Sequence, residues 1–221
     1  MQLTIVDTET SGLDPENSGV CDLGWLIIDE QLNVLDEFET LVDPETSISP
    51  AASAEHHITD DMVASAPTLE EIFSFIFEGK MRGVLLIGHN IQFDKRFLEP
   101  HIEIVDTFCT LRAARKVYPN AENHKLQTLR YMLGIKTPGQ AHRALADVYV
   151  TYGLLHCMMR DSGLDLWGLK EFTETPVIYE KMPFGKHKGL PMSQVPKSYI
   201  RWLRTCDNLD PDMVYTLENL R

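Results

Sequence analysis

The sequence predicts an α/β or α+β domain built on a mixed sheet of five strands, with a small module appended after it. Three observations carry this expectation. Strand-like segments dominate the N-terminal part, strands and helical patterns alternate from Val84 onward, and Thr173-Glu174-Thr175-Pro176 breaks the pattern before a basic turn and two short helical stretches. At 221 residues the chain has room for one full domain and a small addition. Apolar residues make up 43% and charged residues 24%, ordinary globular usage that excludes extended disorder.

Leu3-Thr4-Ile5-Val6 reads as the first strand. Val20 to Ile28, rich in branched and aromatic residues, reads as the second, and the partly alternating Val34 to Val42 as the third. The polar stretch Asp29 to Asn33 suits a hairpin between them, and Pro44 and Pro50 punctuate the segment after the third strand. Thr68 and Glu71 have the spacing of a capping box, and Leu69, Ile72, Phe73, Ile76 and Phe77 then share one helical face. Val84–Ile87 and Ile102–Asp106 complete the strands. Helical patterns follow over roughly 108–118, 126–134 and 143–160, then over 197–205 and 211–220. The expected organisation is a main domain over 1–165, a linker over 166–177 and a small basic module over 178–221. So short a module is near the lower limit for a free-standing core.

The longest strongly apolar run, Val84–Ile87, falls far short of the roughly 18 residues of a membrane span. The N-terminus meets Asp7 and Glu9 at once and has no basic n-region, so no secretory signal is expected. The four cysteines (Cys21, Cys109, Cys157, Cys206) form no C-x-x-C pair, which argues against a zinc ribbon or a disulfide scaffold and points to a reducing cytoplasm.

The formal net charge is −13, unevenly spread. Residues 1–79 hold 18 Asp or Glu and no Lys or Arg, whereas residues 178–221 hold seven Lys or Arg against five Asp or Glu. So acidic a chain repels nucleic acid as a whole. An acidic site loaded with divalent cations reverses its local sign, however, and keeps a phosphate substrate open.

Three constellations carry chemistry. In Val6-Asp7-Thr8-Glu9-Thr10-Ser11-Gly12-Leu13, Asp7 and Glu9 stand two apart at a strand end and therefore point to one side of the sheet. Burying such a pair without a cation is costly, and hard oxygen ligands suit Mg²⁺ or Mn²⁺ better than Zn²⁺. Gly88-His89-Asn90-Ile91-Gln92-Phe93-Asp94 comes after an apolar strand, and Asp94 would open a helix. In His142-Arg143-Ala144-Leu145-Ala146-Asp147, five residues on a helix span about 500°, so the two side chains would not share a face. His142 is expected in the loop before the helix and Asp147 on it.

Taken together, these residues resemble the 3′→5′ exonucleases of the DEDDh type, which have a ribonuclease H-like fold. The family's D-x-E-T-T/S-G is matched by Asp7 to Gly12, its H-N-x-x-F-D by His89 to Asp94, and its H-x-A-x-x-D by His142, Ala144 and Asp147. Its H-x-I-T segment is matched by His56 to Thr59, and its mid-domain D-T by Asp106-Thr107. Leu126-Gln127-Thr128-Leu129 and Leu133-Gly134-Ile135 also fit the family, so the match covers about residues 3–160. Phe184-Gly185-Lys186-His187-Lys188-Gly189 with Tyr199, Trp202 and Leu203 resembles the tail of the exodeoxyribonuclease X branch.

The resemblance implies two Mg²⁺ or Mn²⁺ ions. Asp7 would bridge both, Glu9 and Asp147 would bind the first, and Asp94 would hold the second largely through water. His142 would be the general base, and the product a nucleoside 5′-monophosphate. By the same analogy the Thr8 backbone and the Thr10 hydroxyl hold the 3′-hydroxyl, Leu13 wedges against the last base, and Phe93 packs on the sugar or base beside Asn90. Lys186, His187, Lys188, Lys197, Arg201 and Arg204 are candidates for gripping phosphates, Arg201 and Arg204 sharing a helical face. The expected partner is DNA, single-stranded or with duplex 3′ ends; RNA and a homodimer stay open, as do a ribonuclease T-like or polymerase-proofreading role. Two remoter readings are a haloacid-dehalogenase-type phosphatase, which would want an Asp at Glu9, and a non-catalytic nucleic-acid adaptor. A calcium loop starting at Asp14 fails because Trp25 occupies its twelfth position.

Overall fold

The computed structural model describes residues 1–76, 83–137, 142–206 and 209–220. Phe77, expected on the helical face after Thr68, lies outside them, as does the side chain of Ile76. The chain divides into two compact units, Met1–Lys170 and Glu171–Arg221.

The first unit is built on a five-stranded mixed sheet in the order β3-β2-β1-β4-β5. The strands are β1 (Gln2–Thr10), β2 (Val20–Ile28), β3 (Val34–Leu41), β4 (Val84–Gly88) and β5 (Ile104–Cys109). β1–β2 and β2–β3 are antiparallel, and β1–β4 and β4–β5 are parallel. The first strand runs past Val6 to Thr10, so Asp7 and Glu9 stand inside it with partners on β2: Asp7 opposite Gly24 and Glu9 opposite Asp22.

Strand periodicity sorts the core onto the two faces of the sheet. Leu3 and Ile5 of β1, Leu26 and Ile28 of β2, and Leu85 and Ile87 of β4 pack with Val148, Leu154 and Met158. These last three belong to the long helix α7 (Ala144–Ser162), which packs with α5 (Thr110–Val117), α6 (Leu126–Leu133) and α8 (Leu166–Glu174). On the opposite face, Val6, Leu23, Trp25 and Leu86 pack with Phe97 and Leu98 of α4 (Gln92–Leu98). The row Leu3, Ile5, Asp7, Glu9 therefore becomes acidic where it runs along the α7 side.

Two short helices, α1 (Pro50–His56) and α2 (Asp60–Val63), have no counterpart in the sequence reading. Pro-Ala-Ala-Ser-Ala-Glu-His offers no large apolar side chain to mark a face. It is set by Ser49, whose side chain caps Ala52 N–H, and by Pro50 in the first turn. The capping box at Thr68 and Glu71 forms, but only Leu69–Glu71 (α3) is α-helical, and the chain continues as a π-helix over Ile72–Ile76. The helix α8 lies within the stretch read as a linker.

Gly24 sets the distance between sheet and helix. A Cβ there would stand 2.4 Å from Leu145 N and 2.7 Å from Leu145 Cα, atoms of the first turn of α7. Backbone cannot rotate out of the way. Gly24→Ala is expected to cost about 1–3 kcal/mol of unfolding free energy, measured by urea denaturation, and to push α7 away from the strand that carries Asp7.

Candidate active site

Asp94 reaches from α4 to the C-terminal end of the central strand β1, where Thr8 holds it. The Thr8 backbone N–H and hydroxyl both donate to Asp94 Oδ1, at 3.0 and 2.8 Å. Thr8 belongs to the row of β1 that faces α4, so alternation along one strand supplies Asp7 and Glu9 on one side and the clamp for Asp94 on the other. Thr8, whose backbone the resemblance implied as a holder of the substrate 3′-hydroxyl, thus has its own N–H and hydroxyl engaged with Asp94. Thr10, implied in the same role, is buried, and its hydroxyl donates to Gly12 O at 2.7 Å.

On the α7 side, Asp147 lies buried in the first turn of the helix. Gln127 Nε2 donates to its Oδ1 at 2.5 Å and His142 N–H to its Oδ2 at 3.3 Å. His142 precedes the helix in left-handed backbone (φ 61°), with its Nδ1 3.9 Å from Glu55 Oε1. Ligand atoms of Glu9, His142 and Asp147 lie within 4.8 Å of one another. The imidazole thus stands among the acids themselves, close enough to share a cation with Glu9 and Asp147.

Crowding shows in the protonation of these groups. Burial, then the charges of Asp94, Asp147, Glu9 and Asp22, hold the Asp7 carboxyl well above the usual range. Glu9 is pushed up to about 8 by burial and then by Asp147, Asp22, Asp94 and Glu55. Burial raises Asp94 to about 7 despite the Thr8 bonds, and raises Asp147 despite His142, Arg130 and Gln127. Four carboxylates at one place repel one another, and a divalent cation relieves that repulsion. The donor set, oxygens with one imidazole and no thiolate, fits Mg²⁺ or Mn²⁺.

Asp22 is a residue that the sequence reading missed. It is fully buried on β2, and its Oδ2 accepts Arg143 Nε at 2.8 Å and Ala144 N–H at 3.2 Å. Arg143 also donates to Glu39 at 3.1 Å. A strand carboxylate thereby caps the first turn of the helix that carries Asp147, which a pattern of apolar periodicity does not reveal. Gln127 is similarly invisible as a partner of Asp147. His56 braces the end of the first motif: its Nδ1 accepts Ile58 N–H at 3.1 Å, which leaves Nε2 to donate to Thr10 O at 3.2 Å. Cys21 Sγ lies 3.7 Å from that Nε2, but burial pushes its thiol up to about 12, so the pair is not a nucleophilic dyad.

Around this cluster, Leu13 is 80% exposed, Asn90 adopts left-handed backbone (φ 76°), and Phe93 packs against Phe97 with the Arg96 guanidinium over its ring. His89 faces away from the acids. Its Nε2 lies 2.7 Å from His124 O and its Nδ1 3.1 Å from Thr110 Oγ1, which ties the end of β4 to α5 and to the segment before α6. In the second unit Lys186, Lys188 and Arg201 are exposed. Arg204 is exposed as well, and its Nη2 donates to Leu217 O at 2.6 Å, which joins α9 (Lys197–Leu203) to α10 (Pro211–Asn219).

A family model described as exonuclease matches residues 4–155, and one for a quorum-sensing-regulated virulence factor matches residues 173–208. The chain is 31% identical to exodeoxyribonuclease 10 of Escherichia coli (strain K12) over 225 residues, covering 98% of this chain and 97% of that one. It is 33% identical to the DNA polymerase III subunit epsilon of Treponema pallidum (strain Nichols), over 71% of this chain and 75% of that one. A solved structure of exonuclease X in complex with 5′-overhanging duplex DNA superposes with a TM-score of 0.63 at 29% identity, over 77% of this chain and 99% of that one.

Two outcomes are expected from this geometry. Asp22→Ala strands the Ala144 N–H and should cost about 1–3 kcal/mol in urea unfolding, with a loss of metal affinity that Asp22→Asn, which keeps an acceptor oxygen, largely avoids. Burial holds His89 down at about 4, below its unfolded value of 6.5. Its contribution to stability is therefore complete above about pH 6.5 and is lost as pH falls toward 4, with a slope of up to about 1.4 kcal/mol per pH unit. Unfolding curves of the wild type and His89→Gln should converge over that window.

Proposed function

The chain belongs to the exonuclease family, as a DEDDh-type metal-binding 3′→5′ exonuclease related to exodeoxyribonuclease X, and we propose that it trims DNA from 3′ ends to nucleoside 5′-monophosphates. The observation that carries this reading is the convergence of Glu9, His142 and Asp147 within one ligand-sized space, with Asp7 and Asp94 coupled to them electrostatically. The DNA named with the exonuclease X structure, and the name of the Escherichia coli relative, support the choice of substrate.

Asp7, Glu9, Asp94 and Asp147 would hold two divalent ions, which supply charge neutralisation at the scissile phosphate and lower the pKa of a water. The protein's own side chains do the rest. Thr8 and Gln127 lock the rotamers of Asp94 and Asp147 in advance, so that little reorganisation accompanies reaction. His142 takes the proton of the attacking water, its imidazole placed by the left-handed turn and held near Glu55. Leu13, an exposed leucine next to the acidic row, supports a wedge against the terminal base, with Phe93 and Asn90 on the other side of the terminal nucleotide. Lys186, Lys188 and Arg201 of the second unit would meet backbone phosphates. Apolar and aromatic contacts read no sequence, which suits removal of any nucleotide.

The test is incubation of the protein with 3′- and 5′-labelled DNA and RNA, single-stranded and duplex, with and without Mg²⁺. Metal-dependent release of 5′-mononucleotides from the 3′ end of DNA is expected, and preference for RNA under the same conditions would overturn the substrate. Asp7→Asn and Asp147→Asn should abolish release while the far-ultraviolet dichroism is kept. His142→Ala should lower turnover by about 10²–10⁴-fold.

A further inference from the structure

We propose that the second unit carries a single-strand binding platform in which Trp202 stacks on an unpaired base and the cations Lys186, Lys188, Lys197 and Arg201 hold neighbouring phosphates. This deepens the substrate reading above and rests on it only for the identity of the strand as DNA.

The unit has its own small core of Met182, Met192, Val195, Leu203, Met213 and Leu217. Within it, residues 180–192 form a hairpin through Met182 N–H to Leu190 O, Gly189 N–H to Met182 O and Met192 N–H to Glu180 O. Its tip is a turn of 3₁₀ helix, Gly185–His187, entered and left by left-handed glycines, Gly185 (φ 70°) and Gly189 (φ 85°). The tip rests on α9: a Cβ at Gly185 would stand 2.5 Å from the Tyr199 hydroxyl, and the His187 ring meets the Tyr199 ring edge-on at 4.6 Å. Tyr199 in turn contacts Trp202 at 5.1 Å between centroids. Three rings therefore run in a row from the hairpin tip to the surface of the helix, with the inner two partly covered.

Trp202 ends the row with 55% of its surface exposed. A tryptophan leaving that much apolar area in water, while its neighbour Leu203 is buried in the core, offers a face to something planar. Lys186 and Lys188 flank His187 at the tip. On α9, Lys197 and Arg201 stand one turn apart and Arg201 adjoins Trp202. All four cations are exposed, and none forms an ion pair among the described residues. An exposed aromatic face together with four exposed cations that form no ion pair among the described residues is complementary to a strand with a π-face at each base and a charge at each phosphate. Where no divalent cation is bound the acidic remainder of the chain repels such a strand, whereas this segment attracts it. A duplex keeps its bases stacked on one another and would use only the cations.

The experiment uses the full chain carrying Asp7→Asn, so that bound DNA survives, and a fluorescein-labelled oligothymidylate read by anisotropy. Trp202→Ala should weaken binding by about 5- to 150-fold, and Trp202→Phe should recover most of it. Lys186→Ala with Lys188→Ala should flatten the dependence of log K on log salt by about 0.7 for each phosphate that is no longer neutralised. Tryptophan emission should be quenched by the oligonucleotide in the parent and not in Trp202→Phe, a signature that a purely structural role would not produce. Unchanged affinity in Trp202→Ala, or equal losses for duplex and single strand, would overturn the platform. Absence of cleavage by the wild type with the Trp202 effect intact would overturn the nuclease reading and leave the platform standing.

Discussion

The repulsion among four carboxylates governs the first unit. Burial raises the proton affinity of Asp7 and Glu9 on β1, Asp94 on α4 and Asp147 on α7, and the charges of Asp94 and Asp147 raise Asp7 and Glu9 further. A fold tolerates such a concentration of charge only where rigid elements hold it in place and a cation is on offer. Much of the local architecture reads as the means of holding it: the Thr8 clamp on Asp94, the Gln127 bond to Asp147, and the Asp22 cap on the helix that delivers Asp147. Gly24 lets that helix come close enough to matter.

The strand row and the helix start are thus two halves of one device. Alternation along β1 places the ligands and their support on opposite faces, so a slip of one residue in the β1–β2 register would exchange them. The apolar part of the same row, Leu3 and Ile5 against Val148 and Leu154, fixes that register by burial. Stability and chemistry are in this sense written on the same strand, its first half committed to packing and its second half to charge.

Much of this was legible in the sequence because it is local. The strands over Val20–Ile28 and Val84–Gly88, the long helix from Ala144 and the loop position of His142 follow from apolar periodicity and from the angle between residues five apart. The acids and His142 were legible through family spacing. What stayed hidden depends on interactions between segments far apart in the chain. Asp22 looked like one more acid in an acidic half, and only the fold brings Arg143 and the Ala144 N–H to it. Nothing in the sequence says that Asp94 accepts from Thr8 and Gly12 O from Thr10. Nor does the sequence show that Arg204 reaches the Leu217 carbonyl of α10. The helix α1 escaped because its seven residues carry no large apolar side chain.

The parallel pairing of β1 with β4, and the closure of the cluster by α7, have a consequence for biosynthesis. The acids of β1 leave the ribosome first, while their companions arrive some 85 to 140 positions later. Until α7 has emerged and docked on Gly24, a nascent chain holds three of the four acids and lacks Asp147. Assembly of so non-local a centre is slow, and the four acids cannot meet before translation has passed Asp147.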